Sequence, residues 1–110
     1  MSLPLEIDCR SVKSKLDQNA DFLLLDCREK TGYDTDHIPQ AVLLPMSEMK
    51  TWIGDLEAQK QREIIVHCHH GGRSLRVANL LRQVGFINAQ SMAGGIDEWA
   101  TEIDKTLPRY

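Results

Sequence analysis

The stretch at residues 64–75, IIVHCHHGGRSL, constrains the fold of this chain most strongly. An apolar run ends at Cys68, two glycines form a short turn, and Arg73 and Ser74 open a segment with helical periodicity. The pattern predicts a strand, a loop and the N-terminus of a helix. A thiol in such a loop meets the positive end of the helix dipole and N–H groups that have no intrahelical partner. Both favour the thiolate, so Cys68 is the candidate nucleophile.

Short apolar runs alternate with helical patterns along the chain. The runs predict strands at residues 5–7, 22–25, 41–44, 64–67 and 86–91. Asp8 is expected to cap a helix that ends near Asn19, and a short helical turn is expected between the second and third strands. Ser47 is expected to cap a further helix, which Gly54 interrupts. A longer helix is predicted from Ser74 to a cap at Gly85, with an apolar stripe formed by Val77, Leu80, Leu81 and Val84. A last helical turn is predicted over residues 96–100.

This alternation predicts an α/β domain of three layers, in which a central parallel sheet of about five strands has helices on both faces. The 110 residues and the 42% hydrophobic content suffice for one core, so we expect a single domain over residues 1–110 with its core at about residues 7–100. Ligands of such sheets bind outside the carboxyl ends of the strands. Asp26 and Cys68 both stand at strand ends, and we expect them on the same edge of the sheet.

Three separated motifs give the chain a resemblance to the single-domain rhodaneses, or rhodanese-like sulfurtransferases. The first is LLDCRE at residues 24–29 with Tyr33 and HIPQA at residues 37–41, the second is the loop from Cys68 to Arg73, and the third is GGI at residues 94–96 with Trp99. Two residues depart from the family pattern, since Gln40 replaces a frequent glycine and Cys27 a usual valine. The resemblance covers the chain from about Ile7 to Trp99.

The resemblance implies a five-stranded parallel sheet, a catalytic cysteine that carries sulfane sulfur as a persulfide, and no metal or other cofactor. Cys68 would take the outer sulfur of a donor such as thiosulfate and pass it to a thiophilic acceptor, which is cyanide, a thiol or a protein. The persulfide anion needs hydrogen-bond donors, and the backbone N–H groups from His69 to Ser74 are placed to supply them.

Each residue of the loop therefore has an expected part in binding the substrate. Gly71 and Gly72 let the backbone curl around one sulfur atom, because glycine adopts a positive φ without a Cβ clash. Arg73 either holds an anionic donor or folds inward to brace the loop, and His69 and His70 line its mouth. Four residues separate Cys68 from Arg73, whereas cysteine-dependent phosphatases have five. The shorter loop favours sulfur transfer over phosphatase or arsenate-reductase activity.

Several alternatives remain open from the sequence. Cys68 could be a buried, inert cysteine. His67, Cys68, His69 and His70 are all potential zinc ligands, but adjacent residues seldom converge on one ion, so we expect no metal. Asp26 and Arg28 either support the loop or form a local salt link. Cys27 is either a resolving thiol near the active edge or a small apolar replacement for valine.

Charge and cysteine content limit the partners. The net charge of −3 gives no general attraction to nucleic acid, and no apolar run approaches the roughly 20 residues that span a bilayer. We therefore expect the chain to bind neither nucleic acid nor a membrane. Three widely spaced cysteines without a secretory signal pattern favour free thiols in the cytoplasm. A second class of function fits the same motifs, namely a binding module that receives sulfur from a specific protein or simply docks on it.

Overall fold

The computed structural model describes residues 3–109, so residues 1, 2 and 110 of the predicted domain lie outside the described residues. Five strands pair into one sheet, and every pair of neighbours is parallel. Their order is β1-β5-β4-β2-β3, which places β4 at the centre and confirms the predicted sheet. The strands are β1 (Glu6–Ile7), β2 (Leu23–Asp26), β3 (Val42–Leu43), β4 (Ile64–His67) and β5 (Ala89–Met92).

Helices cover both faces of this sheet, as predicted. Trp52 and Leu81 belong to a core cluster on one face, and Val12 and Trp99 belong to a second cluster on the other. Over residues 3–109, no helix is long and apolar enough to cross a membrane. The helices are α1 (Cys9–Asp17), α2 (Lys30–Thr35), α3 (Met49–Asp55), α4 (Gly72–Gln83) and α5 (Gly95–Glu102), with 3₁₀ turns at Met46–Glu48 and Glu57–Gln59.

Strand β4 is completely buried because both of its faces are covered. Ile64 and Val66 pack into the cluster under α3 and α4, whereas Ile65 packs into the opposite cluster. This alternation continues beyond the strand, so that Cys68 lies in the same cluster as Val66. The central strand therefore delivers the candidate nucleophile to the carboxyl edge of the sheet, on the side of α4.

Helix α4 corrects the sequence prediction in its start and in its buried face. It begins at Gly72 rather than at Ser74. Leu80 and Val84 of the predicted apolar stripe are 38% and 49% exposed. Because the Ser74 hydroxyl lies 3.5 Å from the sulfur of Cys68, the helix must bury the positions that share a face with Ser74. The buried residues of α4 are Ser74, Val77, Ala78 and Leu81.

Three further predictions were wrong in detail. Strand β5 begins at Ala89 instead of residue 86, because Phe86 lies in a turn in which its carbonyl accepts a hydrogen bond from Ala89 N–H. Ser47 does not cap a helix, since its hydroxyl donates to the carboxylate of Glu29 at 2.6 Å. Gly54 lies within α3 and does not interrupt it. The Asp8 cap is confirmed by the hydrogen bond that its carboxylate accepts from Ser11 N–H at 2.7 Å.

The first turn of α5 ties the C-terminal part of the chain to the cysteine loop. The N–H of Ile96 donates to the carbonyl of Cys68 at 2.8 Å, and the N–H of Asp97 donates to the carbonyl of His69 at 3.0 Å. Gly95 has a φ of +60°, and a Cβ there would lie 2.5 Å from both carbonyl oxygens. Only glycine therefore lets the helix N-terminus approach the loop this closely.

We predict that Gly95→Ala lowers the free energy of unfolding by about 2–4 kcal/mol, because it adds both a left-handed strain and a backbone clash. Gly54→Ala is the matched control: a Cβ at Gly54 meets nothing within 4 Å. It should leave stability unchanged or raise it by up to about 1 kcal/mol. Urea unfolding of both variants checks the prediction, and equal stabilities would contradict it.

Candidate active site

The sulfur of Cys68 is surrounded by hydrogen-bond donors of its own loop. The N–H of Gly71 lies 3.1 Å from Sγ, and the N–H of Ser74 lies 3.3 Å from it. The hydroxyl of Ser74 is 3.5 Å away. Such a ring of donors is suited to a negatively charged sulfur atom rather than to an apolar thiol. The side chain is nevertheless buried, with an exposed fraction of 1%.

These contacts decide the protonation state of Cys68. The neighbouring thiol of Cys27 is the largest cause, and together with the donors of Ser74 and Gly71 it lowers the pKa of Cys68 to about 4, although burial acts in the opposite direction. Cys68 is therefore a thiolate at neutral pH. The sequence predicted a lowered pKa from the helix dipole and the loop amides alone, so Cys27 is an additional cause.

Ser74 links the loop to strand β5. Its hydroxyl lies 2.7 Å from the hydroxyl of Ser91, which is fully buried. Either hydroxyl can donate in this bond, and the Ser74 oxygen also lies 3.2 Å from the carbonyl of Gly71, so Ser74 joins the loop backbone and the Cys68 sulfur to β5. Sequence reasoning missed Ser91, although a serine in a strand buried on both faces was a signal that it needs a polar partner.

The two glycines of the loop have different parts. Gly71 has a φ of +107° and precedes α4, and a Cβ there would lie 3.2 Å from the backbone nitrogen of Gly94. The expected left-handed glycine is therefore Gly71. Gly72 has an ordinary φ and open space around its Cβ position, which corrects the expectation that both glycines are needed for the curl.

A pocket of about 280 Å³ opens beside the loop and is polar in character. His69 and Arg73 border it from the loop, and the Arg73 side chain is exposed. His70 points elsewhere, since its Nδ1 lies 3.8 Å from a carboxylate oxygen of Asp97. The remaining residues around the pocket come from the segment after β2 and are Arg28, Glu29, Thr31, Gly32 and Thr35.

His67 is separated from the other histidines. It is fully buried on the strand, and neither ring nitrogen has a hydrogen-bond partner among residues 3–109. Burial lowers the pKa of His67 more than the negative charge of Asp26 raises it, so the ring is neutral. Within the part of the chain that the structure describes, no three His, Cys, Asp or Glu side chains are grouped as a metal site.

Asp26 and Arg28 form a buried ion cluster rather than touching the sulfur. The guanidinium donates to both carboxylate oxygens of Asp26, with Nη2 at 2.7 Å from Oδ2 and Nε at 3.0 Å from Oδ1. Nη1 also donates to the carboxylate of Asp36 at 2.9 Å. All three side chains are at most 1% exposed. The cluster fixes the segment after β2 that borders the pocket, and Asp36 is a member that sequence reasoning missed.

Comparisons with known proteins identify the family. The model of the rhodanese-like domain matches residues 8–102. The chain belongs to the rhodanese-like domain family. A curated relative of this rhodanese-like domain is the maize (Zea mays) protein "Adenylyltransferase and sulfurtransferase MOCS3-2". The two sequences are 31% identical over 109 residues, and the alignment covers 94% of this chain and 23% of the relative. The yeast (Saccharomyces cerevisiae) protein "Adenylyltransferase and sulfurtransferase UBA4" is 30% identical over 83% of this chain and 23% of its own length.

Solved structures agree on the fold. The human single-domain sulfurtransferase TSTD1 superposes with a TM-score of 0.81 at 22% identity, covering 91% of this rhodanese-like domain and 98% of that chain. The protein SSP1007 of Staphylococcus saprophyticus superposes with a TM-score of 0.79 at 26% identity, covering 91% and 97%. The chain spans about a quarter of the length of the maize and yeast relatives, so it corresponds to one part of them.

We predict that Ser74→Ala raises the pKa of Cys68 by about 1, because a hydrogen bond to a charged group contributes about 1.5 kcal/mol and about 1.4 kcal/mol corresponds to one pH unit. The rate of alkylation by iodoacetamide, followed against pH, gives the pKa. Ser14→Ala on the exposed side of α1 is the control and should leave it unchanged. A wild-type midpoint near that of free cysteine would contradict the loop geometry.

We predict that Arg28→Met lowers the free energy of unfolding by about 3–5 kcal/mol, because it leaves two buried carboxylates without their cation. Arg10→Met removes an exposed pair with Glu102 and should cost about 0–1 kcal/mol. Urea unfolding distinguishes the two variants.

The same cluster predicts how stability depends on pH. Burial acts to raise the pKa of Asp26, but the hydrogen bonds from Arg28 and the charge of nearby groups outweigh it, and the pKa lies below the ordinary 3.8. The stabilisation by Asp26 is therefore fully present above about pH 4 and is lost as the pH falls through the lowered pKa.

Proposed function

We propose that this rhodanese-like domain is a sulfurtransferase in which Cys68 carries sulfane sulfur as a persulfide. One observation carries the proposal: at the end of the central strand, the Cys68 sulfur accepts hydrogen bonds from Gly71 N–H and Ser74 N–H and lies 3.5 Å from the Ser74 hydroxyl, and these contacts favour a thiolate. A thiolate is the form of cysteine that attacks sulfur donors. The same donors are placed to stabilise the charge of a persulfide.

The reaction proceeds in two displacements. The Cys68 thiolate attacks the outer sulfur of a donor such as thiosulfate, the sulfur–sulfur bond of the donor breaks, and sulfite leaves. A thiophilic acceptor (cyanide, a thiol or a protein) then attacks the outer sulfur of the persulfide, and the Cys68 thiolate leaves. No step needs a metal or another cofactor.

The pocket beside the loop supports binding of an anionic donor. The exposed Arg73 supplies a positive charge at its border, and the half-buried ring of His69 lies next to it. His70, Gly72 and the other loop residues complete the proposed substrate-binding segment through their backbone. Asp26 and Arg28 act as positioning residues, since their buried cluster holds the segment that forms the opposite border.

Two further expectations complete the proposal. Residues 1–110 act as one domain with its core at about residues 7–100, which the family match over residues 8–102 supports. The location is the cytoplasm, and the free state of Cys9, Cys27 and Cys68 supports a reducing compartment.

A second candidate function is sulfur relay to a specific protein. The relatives favour it, because two proteins named adenylyltransferase and sulfurtransferase match this domain over less than a quarter of their length. In that case the persulfide forms, but transfer to cyanide and small thiols is negligible and a stable complex with a protein acceptor is found. Hydrolysis of a phosphate ester that depends on Cys68 would instead indicate a phosphatase.

We predict that incubation with thiosulfate makes the wild-type protein heavier by one sulfur atom, as measured by intact mass spectrometry. Cys68→Ser should gain none, because the serine hydroxyl is not a thiolate. Cys9→Ser is the matched control: Cys9 lies in the opposite core cluster and should not affect loading. The proposal fails if wild type gains no sulfur from thiosulfate, mercaptopyruvate or a cysteine persulfide, or if Cys68→Ser gains as much as wild type.

A further inference from the structure

The register of the sheet places a second cysteine directly beside Cys68. Asp26 of β2 pairs with His67 of β4, and the next residues along the two strands are Cys27 and Cys68. The N–H of Cys27 donates to the carbonyl of His67 at 3.0 Å, so the pairing extends to this position. Both cysteine side chains pack into the same core cluster. They therefore lie side by side on one face of the sheet.

This arrangement is compatible with a bond between the two sulfurs. Neighbouring strands lie about 4.8 Å apart, which falls within the range of roughly 4.4–6.8 Å over which Cα atoms are bridged by a disulfide. Of the groups around Cys68, the thiol of Cys27 lowers the pKa of Cys68 most, as expected of a close neighbour. The third cysteine, Cys9, begins α1 in the opposite core cluster and is separated from them by the sheet.

We propose that Cys27 is a second reacting thiol, which resolves the Cys68 persulfide into a Cys27–Cys68 disulfide and releases hydrosulfide. The inference rests on the proposed function, because it begins from the persulfide. It adds a second fate for the bound sulfur: transfer when an acceptor is present, and reduction to sulfide when none arrives.

The step is balanced without an external oxidant. The sulfur of Cys27 attacks the inner sulfur of the persulfide, the bond between the inner and outer sulfurs breaks, and the outer sulfur leaves. The proton of the Cys27 thiol goes to the leaving sulfur, so the products are one disulfide and one hydrosulfide ion. The outer sulfur gains two electrons and the two cysteines lose them. A dithiol reductant then reopens the disulfide by thiol–disulfide exchange.

The protonation of Cys27 makes this route the slower one. The interaction with the neighbouring Cys68 sulfur, burial and the charge of that sulfur all raise the pKa of Cys27, so that it remains a thiol at neutral pH. A protonated thiol is a weak nucleophile. An abundant acceptor therefore takes the sulfur first, and resolution proceeds only when the persulfide persists.

The test compares wild type, Cys27→Val, Cys27→Ser and the control Cys9→Ser. Each reduced protein is loaded with thiosulfate, freed of excess donor and kept without acceptor while sulfide release and intact mass are followed. Wild type and Cys9→Ser should lose the persulfide, release one equivalent of sulfide and yield a Cys27–Cys68 disulfide in non-reducing peptide mapping. Both Cys27 variants should hold the persulfide at least about tenfold longer, because the attacking thiol is absent.

The outcomes separate this inference from the function on which it rests. Persulfide formation at time zero reports on the proposed sulfurtransferase. The role of Cys27 is overturned if the persulfide forms but decays equally fast in wild type and in the Cys27 variants. It is also overturned if the mapped disulfide joins the Cys68 residues of two molecules. In both cases the proposed role of Cys68 as sulfur carrier is retained. If no protein gains sulfur from any donor, the carrier role and sulfide release both fall. Circular dichroism verifies that each variant is folded, and Cys27→Ser replaces Cys27→Val if the latter is not.

Discussion

A negative charge on a buried sulfur atom is the constraint on which the rest of this site depends. Burial alone would keep Cys68 protonated, so the chain must supply donors at short range. Gly71 and Ser74 do so from the loop, and the neighbouring thiol of Cys27 lowers the pKa of Cys68 further. The left-handed backbone at Gly71 and the inward-facing Ser74 are consequences of this requirement.

The same requirement explains features at a distance from the sulfur. With Ser74 turned inward, the helix buries Val77, Ala78 and Leu81 and leaves Leu80 partly exposed. The first turn of α5 must then come close enough for its N–H groups to bind the loop carbonyls, which only a glycine at position 95 allows. Loop, helix and turn are therefore one unit built around a single atom.

The last residue of β2 and the residue after it contribute to opposite faces of the sheet at the same edge. Asp26 points to one side, where it pairs with Arg28 and the segment after the strand is held in place. Cys27 points to the other side, toward the sulfur of Cys68. Successive residues of a strand face opposite sides, so two neighbours in sequence serve a structural cluster and a reactive pair. This division connects the stability of the edge with the chemistry proposed for it.

The sequence by itself determined the class of fold, the strand at residues 64–67, the cysteine loop and the shared edge of Asp26 and Cys68. Those features depend on local periodicity and on the rule that parallel strands end at one edge. Only the tertiary structure decided that Arg28 binds Asp36 as well as Asp26, that Ser91 contacts Ser74, and that α4 buries a face different from its most apolar one. It also decided that Cys27 lies beside Cys68. These contacts depend on strand order and register, because residues distant in sequence become neighbours only when the strands pair.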